Sequence, residues 1–254
     1  MAAIRAIALL TFKEAIRSKI LYLLLSFAAV LISLSWIIGQ LTVGDEMKII
    51  KDLGISSIHF FGVLITIFIG IGLVFREMER RTIYMVLSKP LRRYHFLLGK
   101  FFGMALTLFL ILCTLVAVFY LVLYLKGGAT PQLLLSFYMI YLEWLMITGV
   151  ALLFSSFSTP LLSTMLTLAS FLMGHLTESL LMLKTRITSE ITNAVLTILF
   201  YALPNLEMFN VRAQVVHNLA LPDGFFAQAT LYWLLYLTTL LLLAIAIFQK
   251  KDFV

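Results

Sequence analysis

The chain has 254 residues, of which 62% are hydrophobic and 12% charged, and a mean hydropathy of +1.06. Soluble domains hold about 45–50% apolar and about 25% charged residues, so a soluble globular fold is excluded and an integral membrane protein is expected. The net charge of +7 would suggest a nucleic-acid partner in a soluble chain, but here the basic residues gather at the ends of apolar runs. That is the pattern of membrane orientation and contact with anionic lipid headgroups, so lipid is expected as a partner and nucleic acid is not.

Residues 1–19 interleave Arg5, Lys13, Glu14, Arg17 and Lys19 with Ile4, Ile7, Leu9, Phe12 and Ile16. The spacing predicts an amphipathic helix on the membrane surface. A cleaved signal peptide is disfavoured, because the apolar run 20–43 far exceeds a ~7–15 residue h-region and no A-x-A site follows it. That run is the first expected transmembrane helix. A polar loop with Asp45, Glu46, Lys48, Lys51 and Asp52 precedes a second span at 57–75, where Gly62, Gly70 and Gly72 allow close helix packing.

A third span is expected at 93–125, an outer turn at Lys126, Gly127, Gly128 and Pro131, and a fourth span at 132–154. The uncharged turn 155–160 leads to a fifth span at 161–183. Pro204, Asn205, Pro222, Asp223 and Gly224 then punctuate a region read as short outer-surface helices over 189–219, interfacial or re-entrant. A sixth span at 229–248 ends at Gln249, Lys250 and Lys251. The expected fold class is an all-α membrane protein with six transmembrane helices in a single domain. Placing both termini and the segment between spans two and three in the cytoplasm puts thirteen of the nineteen Lys/Arg inside, as the positive-inside rule requires.

That segment, 76–100, is the one long charged stretch. It sets Arg76, Arg80, Arg81, Lys89, Arg92, Arg93 and Lys100 against Glu77 and Glu79. At a helical period residues 75–88 sort into an apolar side with Phe75, Met78, Ile83, Met85 and Val86 and a charged side with Arg76, Glu77, Arg80 and Arg81. Glu79 falls within the apolar arc. Two readings stay open: an interfacial helix whose Glu79 reaches Arg76 or water, and a docking element whose Glu79 meets a cytoplasmic partner. Pro90 closes the element.

The run Glu77, Glu79, Thr82, Leu87, Ser88, Pro90, Arg93, Phe96, Leu97, Leu98, Gly99, Lys100 resembles the glutamate-rich coupling helix and following segment of type-2 ABC exporter permeases. The nearest resemblance is to the copper-enzyme-maturation subgroup. Arg81 departs from the glycine often found before the threonine. The resemblance implies that residues 76–89 contact a cytoplasmic ATP-binding subunit, through Glu77, Glu79, Arg80, Arg81, Thr82 and Met85. It also implies a homodimer of permeases in a bacterial or archaeal inner membrane, with ATP and Mg bound by the partner subunit. A periplasmic partner is an open possibility.

No Walker A, H-E-x-x-H or G-x-S-x-G pattern occurs, so the chain is expected to be no enzyme and to hold no cofactor itself. Glu143, about 12 residues into the fourth span, falls near mid-bilayer. It reads either as part of a translocation route or dimer interface, or as a hydrogen-bonded packing residue. His175 and Glu178 stand one turn apart, but two ligands are too few for a zinc site; interfacial hydrogen bonding is expected there and no metal. His59, His95 and His217 are read as lying near the membrane surfaces, with nothing in their spacing to suggest a cluster, and the single Cys113 as a small core residue. An ATP-driven exporter subunit is the leading reading, and a non-transporting membrane scaffold or assembly factor that anchors a cytoplasmic partner is the alternative.

Overall fold

The computed structural model describes residues 2–41, 44–79, 93–177, 197 and 203–250. The described residues form helices and connecting turns: α1 (Ala2–Ile16), α2 (Lys19–Gln40), α3 (Glu46–Glu79), α4 (Arg93–Leu125), α5 (Leu133–Phe157), α6 (Pro160–His175), a 3-10 turn (Glu207–Phe209), α7 (Arg212–Val216) and α8 (Phe225–Lys250). Five of them, α2, α3, α4, α5 and α8, are long and apolar enough to cross a membrane, and α6 is a shorter apolar helix. The expected span 161–183 is thus seen as α6 as far as His175, and everything from residue 178 to 196 lies outside the described residues.

From α2 to α6, and again in α8, the long helices alternate in direction, which gives the bundle two ends. The basal end carries α1, the close of α3 and the start of α4; the apical end carries the 41–46 and 126–132 turns and residues 203–224. At the centre stands α5, packed by α3, α4, α6 and α8 and by the apical 3-10 turn and α7. Eighteen of its 25 residues are buried, because neighbouring elements cover it on every side. In α2 and α8, by contrast, most of the apolar surface remains outward, as in helices that meet lipid on one flank.

Close approach between helices relies on small residues. Gly62 of α3 lies under the Trp144 indole of α5, and Gly54 lies against the Phe119 ring of α4. Gly99 and Gly103 of α4 lie one turn apart and admit α1, whose Ile7 and Thr11 side chains and Ile4 and Ala8 carbonyls fill the space their Cβ atoms would take. Ile7, Thr11 and Ala15, four residues apart, form the buried stripe of α1. At the end of α4, Gly127 takes φ +69°, a left-handed conformation glycine adopts without strain, and the Gly128 N–H returns to the Leu123 carbonyl at 3.0 Å.

The structure differs from the sequence expectation at residues 46–56. Read as a polar loop, they are the first three turns of α3, which runs 34 residues and about 51 Å, well beyond a ~30 Å hydrocarbon core. The charges that suggested a loop find partners on other elements. The Lys126 amine meets the Glu46 carboxylate, the buried Lys51 amine reaches Thr130 Oγ1 at 3.5 Å, and Arg212 Nε lies 3.1 Å from Asp52 Oδ1. Asp45, just before the helix, pairs with Lys48 at 2.7 Å, and that ammonium holds its carboxyl below the usual carboxylate range.

Candidate functional site

Deep between α3, α5 and α6 lies a cavity of about 500 Å³. Its polar wall converges on Glu143, which is 1% exposed. His59 Nε2 of α3 stands 2.9 Å from both Glu143 carboxylate oxygens, and His175 Nε2, at the last residue of α6, stands 2.9 Å from Oε1. The other ring nitrogen of His175 is engaged as well: Nδ1 lies 3.0 Å from Glu207 Oε2 in the 3-10 turn. Asn210 donates its side-chain N–H to Glu207 Oε1 at 2.9 Å. The remaining wall is mostly apolar, with Ile55, Ile140, Phe171, Leu176 and Phe209, and is joined by Ser136 and Arg212.

Local sequence explains each placement. Because α3 begins at Glu46, His59 lies 13 residues into it, about 20 Å below the apical end; Glu143, ten residues into α5, lies about 15 Å below. The Gly62–Trp144 contact one turn further on fixes that register between the two helices. Pro160 sits at the first helical position of α6, where its missing N–H costs nothing. With 16 residues, α6 is about 24 Å long and stops short of the apical end, which leaves room for the cavity.

The segment 203–206 then folds back over the end of α6. The Leu206 N–H bonds the Gly174 carbonyl at 3.0 Å, and a Cβ on Gly174 would stand 2.7 Å from the Pro204 carbonyl oxygen. Thr177 donates to Asn205 Oδ1 at 2.9 Å, and the Asn205 N–H donates to the Tyr232 hydroxyl on α8. These bonds hold Glu207 beside His175. Phe171, one turn before His175, packs its ring edge-on against that imidazole at 4.9 Å. Arg212, which bonds Asp52 and also donates to Ser56 Oγ, closes one flank of the cavity by tying α7 to α3.

Of the residues singled out from sequence, Glu143 is at the centre of the site. His175 is there too, but its partners are Glu143 and Glu207; Glu178 lies outside the described residues. His59, expected near a membrane surface and in no cluster, is the correction: it shares the Glu143 carboxylate with His175. The depth of His59 follows from the true start of α3, eleven residues before the expected span. His95 stacks on Tyr94 at 4.1 Å and His217 follows α7, both away from the cavity. Glu77 and Glu79 fall on the last turn of α3, with their side chains outside the described set, as are Arg80, Arg81, Thr82 and Met85 altogether.

Comparison with curated proteins finds no match to the chain. The family described as "ABC-2 family transporter protein" matches residues 5–253, nearly the whole length. With its several apolar helices long enough to cross a membrane, the chain belongs to this family and is a multi-pass permease subunit of an ABC transporter.

Proposed function

We propose that this chain is the transmembrane half of an ATP-driven exporter, moved by a separate ATP-binding subunit that docks on residues 76–89 and holds the ATP and Mg. The chain itself hydrolyses nothing in this reading. Two copies pair in the membrane, both termini face the cytoplasm, and the basal end therefore meets the ATPase. The observation that carries the reading is the continuity of α3. One unbroken helix bears His59 on the cavity and Glu77 and Glu79 on its last basal turn, about 27 Å away along the axis. A push on the basal segment is thus delivered directly to the cavity wall. A membrane anchor without transport would need no such cavity beside Glu143, which supports transport over the scaffold reading.

The test is the Glu79→Arg variant, tagged, solubilised in mild detergent and compared with the parent chain. The parent is expected to bring down a stoichiometric ATP-binding subunit with vanadate-sensitive ATPase activity. Charge reversal should reduce the co-purified ATPase at least tenfold while the permease remains in the membrane. Unchanged association and transport would remove Glu79 from the contact, and a parent chain with no ATPase partner would sink the exporter reading.

A further inference from the structure

We infer that His59, Glu143 and His175 form a binding site for a divalent transition-metal cation of the zinc class, with one coordination position open to the cavity. The three offer one donor atom each, and these atoms lie within 4.8 Å of one another. They come from three different helices, so their convergence is a product of the tertiary fold rather than of one helix face.

The hydrogen bonding around His175 orients its ring as a ligand. A neutral imidazole has a single N–H, yet His175 presents each of its two nitrogens to a carboxylate. Glu207, itself fixed by the Asn210 amide, takes the Nδ1 proton. The positive centre that the Nε2–Glu143 pair needs at 2.9 Å is a second proton on His175 when no metal is bound, and a bound cation takes that proton's place. His59 Nε2 faces the same carboxylate from the other side. An imidazole that ligates through one nitrogen and gives its other N–H to a carboxylate is the usual outer-shell arrangement of metal-bound histidine.

The donor set selects the ion. Two imidazoles and one carboxylate suit zinc and its first-row neighbours, whereas calcium and magnesium take oxygen ligands almost alone. Bonds of ~2.0–2.1 Å draw the three donors onto one ion by moving the imidazoles together. Three protein ligands leave a fourth tetrahedral position, and here it opens on a cavity of about 500 Å³, large enough for water or a small molecule with a donor atom of its own. Burial of Glu143 at 1% exposure strengthens the attraction to a cation that neutralises it. The inference goes beyond the exporter reading and stands without it, since binding needs only this chain.

The full chain, carrying an affinity tag without histidine, is purified in detergent, stripped with a chelator and titrated with Zn²⁺ against a fluorescent competitor. One ion per chain is expected, with X-ray absorption at the zinc edge showing two imidazoles and oxygen donors. His175→Asn should weaken binding at least 100-fold, and Glu207→Gln, which removes only the outer partner, by about 10–100-fold. His95→Asn and His217→Asn should leave it unchanged. If His175→Asn does not fold, His59→Gln and the absorption spectrum of the parent protein carry the same decision. Absence of saturable binding, a spectrum without two imidazoles, or an affinity that follows His95 or His217 overturns the site. Loss of the ATPase partner would count against the exporter reading and leave the zinc titration as it was.

Discussion

A Cβ built on Gly62 would stand 1.6 Å from the Trp144 ring, whereas one built on Gly70 meets only the end of Met104 at 3.5 Å. Gly62→Ala therefore forces a large aromatic out of a packed centre, at a cost of about 1–3 kcal/mol. Gly70→Ala gains helix propensity without a clash and should be neutral or stabilising by up to about 1 kcal/mol. Thermal unfolding in detergent separates the two; equal midpoints would mean that the Trp144 contact does not restrain the bundle. The sequence presents Gly62, Gly70 and Gly72 as equals, since each interrupts the same apolar run. Only the partner helix distinguishes them, and nothing within the run itself says that Trp144 comes to lie over the first.

Among elements, α1 shows how a helix can be legible while its docking is not. Its amphipathic spacing predicts the helix, and the interfacial placement is the natural expectation for a charged amino-terminal segment. The deciding feature lies ninety residues later, in the Gly99-x-x-x-Gly103 spacing of α4, a pair of small residues that lets two helix backbones approach. Gly103→Leu would drive a branched side chain into Thr11 and the Ala8 carbonyl. It should release α1 from α4 while leaving both helical, seen as faster hydrogen exchange over residues 2–16 with little change in the rest of α4. Exchange unchanged over α1 would show that its docking does not depend on this approach. The start of α3 was hidden for a related reason: Glu46, Lys51 and Asp52 look like loop residues until Lys126, Thr130 and Arg212 are in place beside them.

At the scale of the whole molecule, the order of apolar runs and their breaks was readable because hydrocarbon leaves the backbone few choices: each run of about twenty apolar residues must be a helix. The site was readable only in part. Glu143 announces itself as a carboxylate inside a span, but its partners lie at positions 59 and 175, and the second partner of His175 at 207, separations that no local pattern connects. Their meeting depends on the depth of each residue along its own helix, and so on helix starts that sequence places least well. The burial contrast between α5, with 78% of its most apolar window enclosed, and α2, with 22%, likewise reflects neighbours rather than composition.

The pairing of Glu143 with His59 also bears on how the chain is made. A carboxylate near the middle of a span raises the cost of membrane insertion by on the order of 2.5–3.5 kcal/mol. In a chain synthesised from its amino terminus, α3 is already in the membrane when α5 emerges, whereas α6 and residues 203–210 do not yet exist. His59 is then the one member of the cluster available to receive Glu143. The nascent protein thus meets the cost of its own central helix with a side chain laid down eighty-four residues earlier. In chains truncated shortly after α5 and carrying a glycosylation acceptor there, His59→Leu should reduce the inserted fraction several-fold, and Glu143→Leu in the same chain should restore it. Equal insertion with and without His59 would place the pairing after synthesis, as a contact of the finished bundle alone.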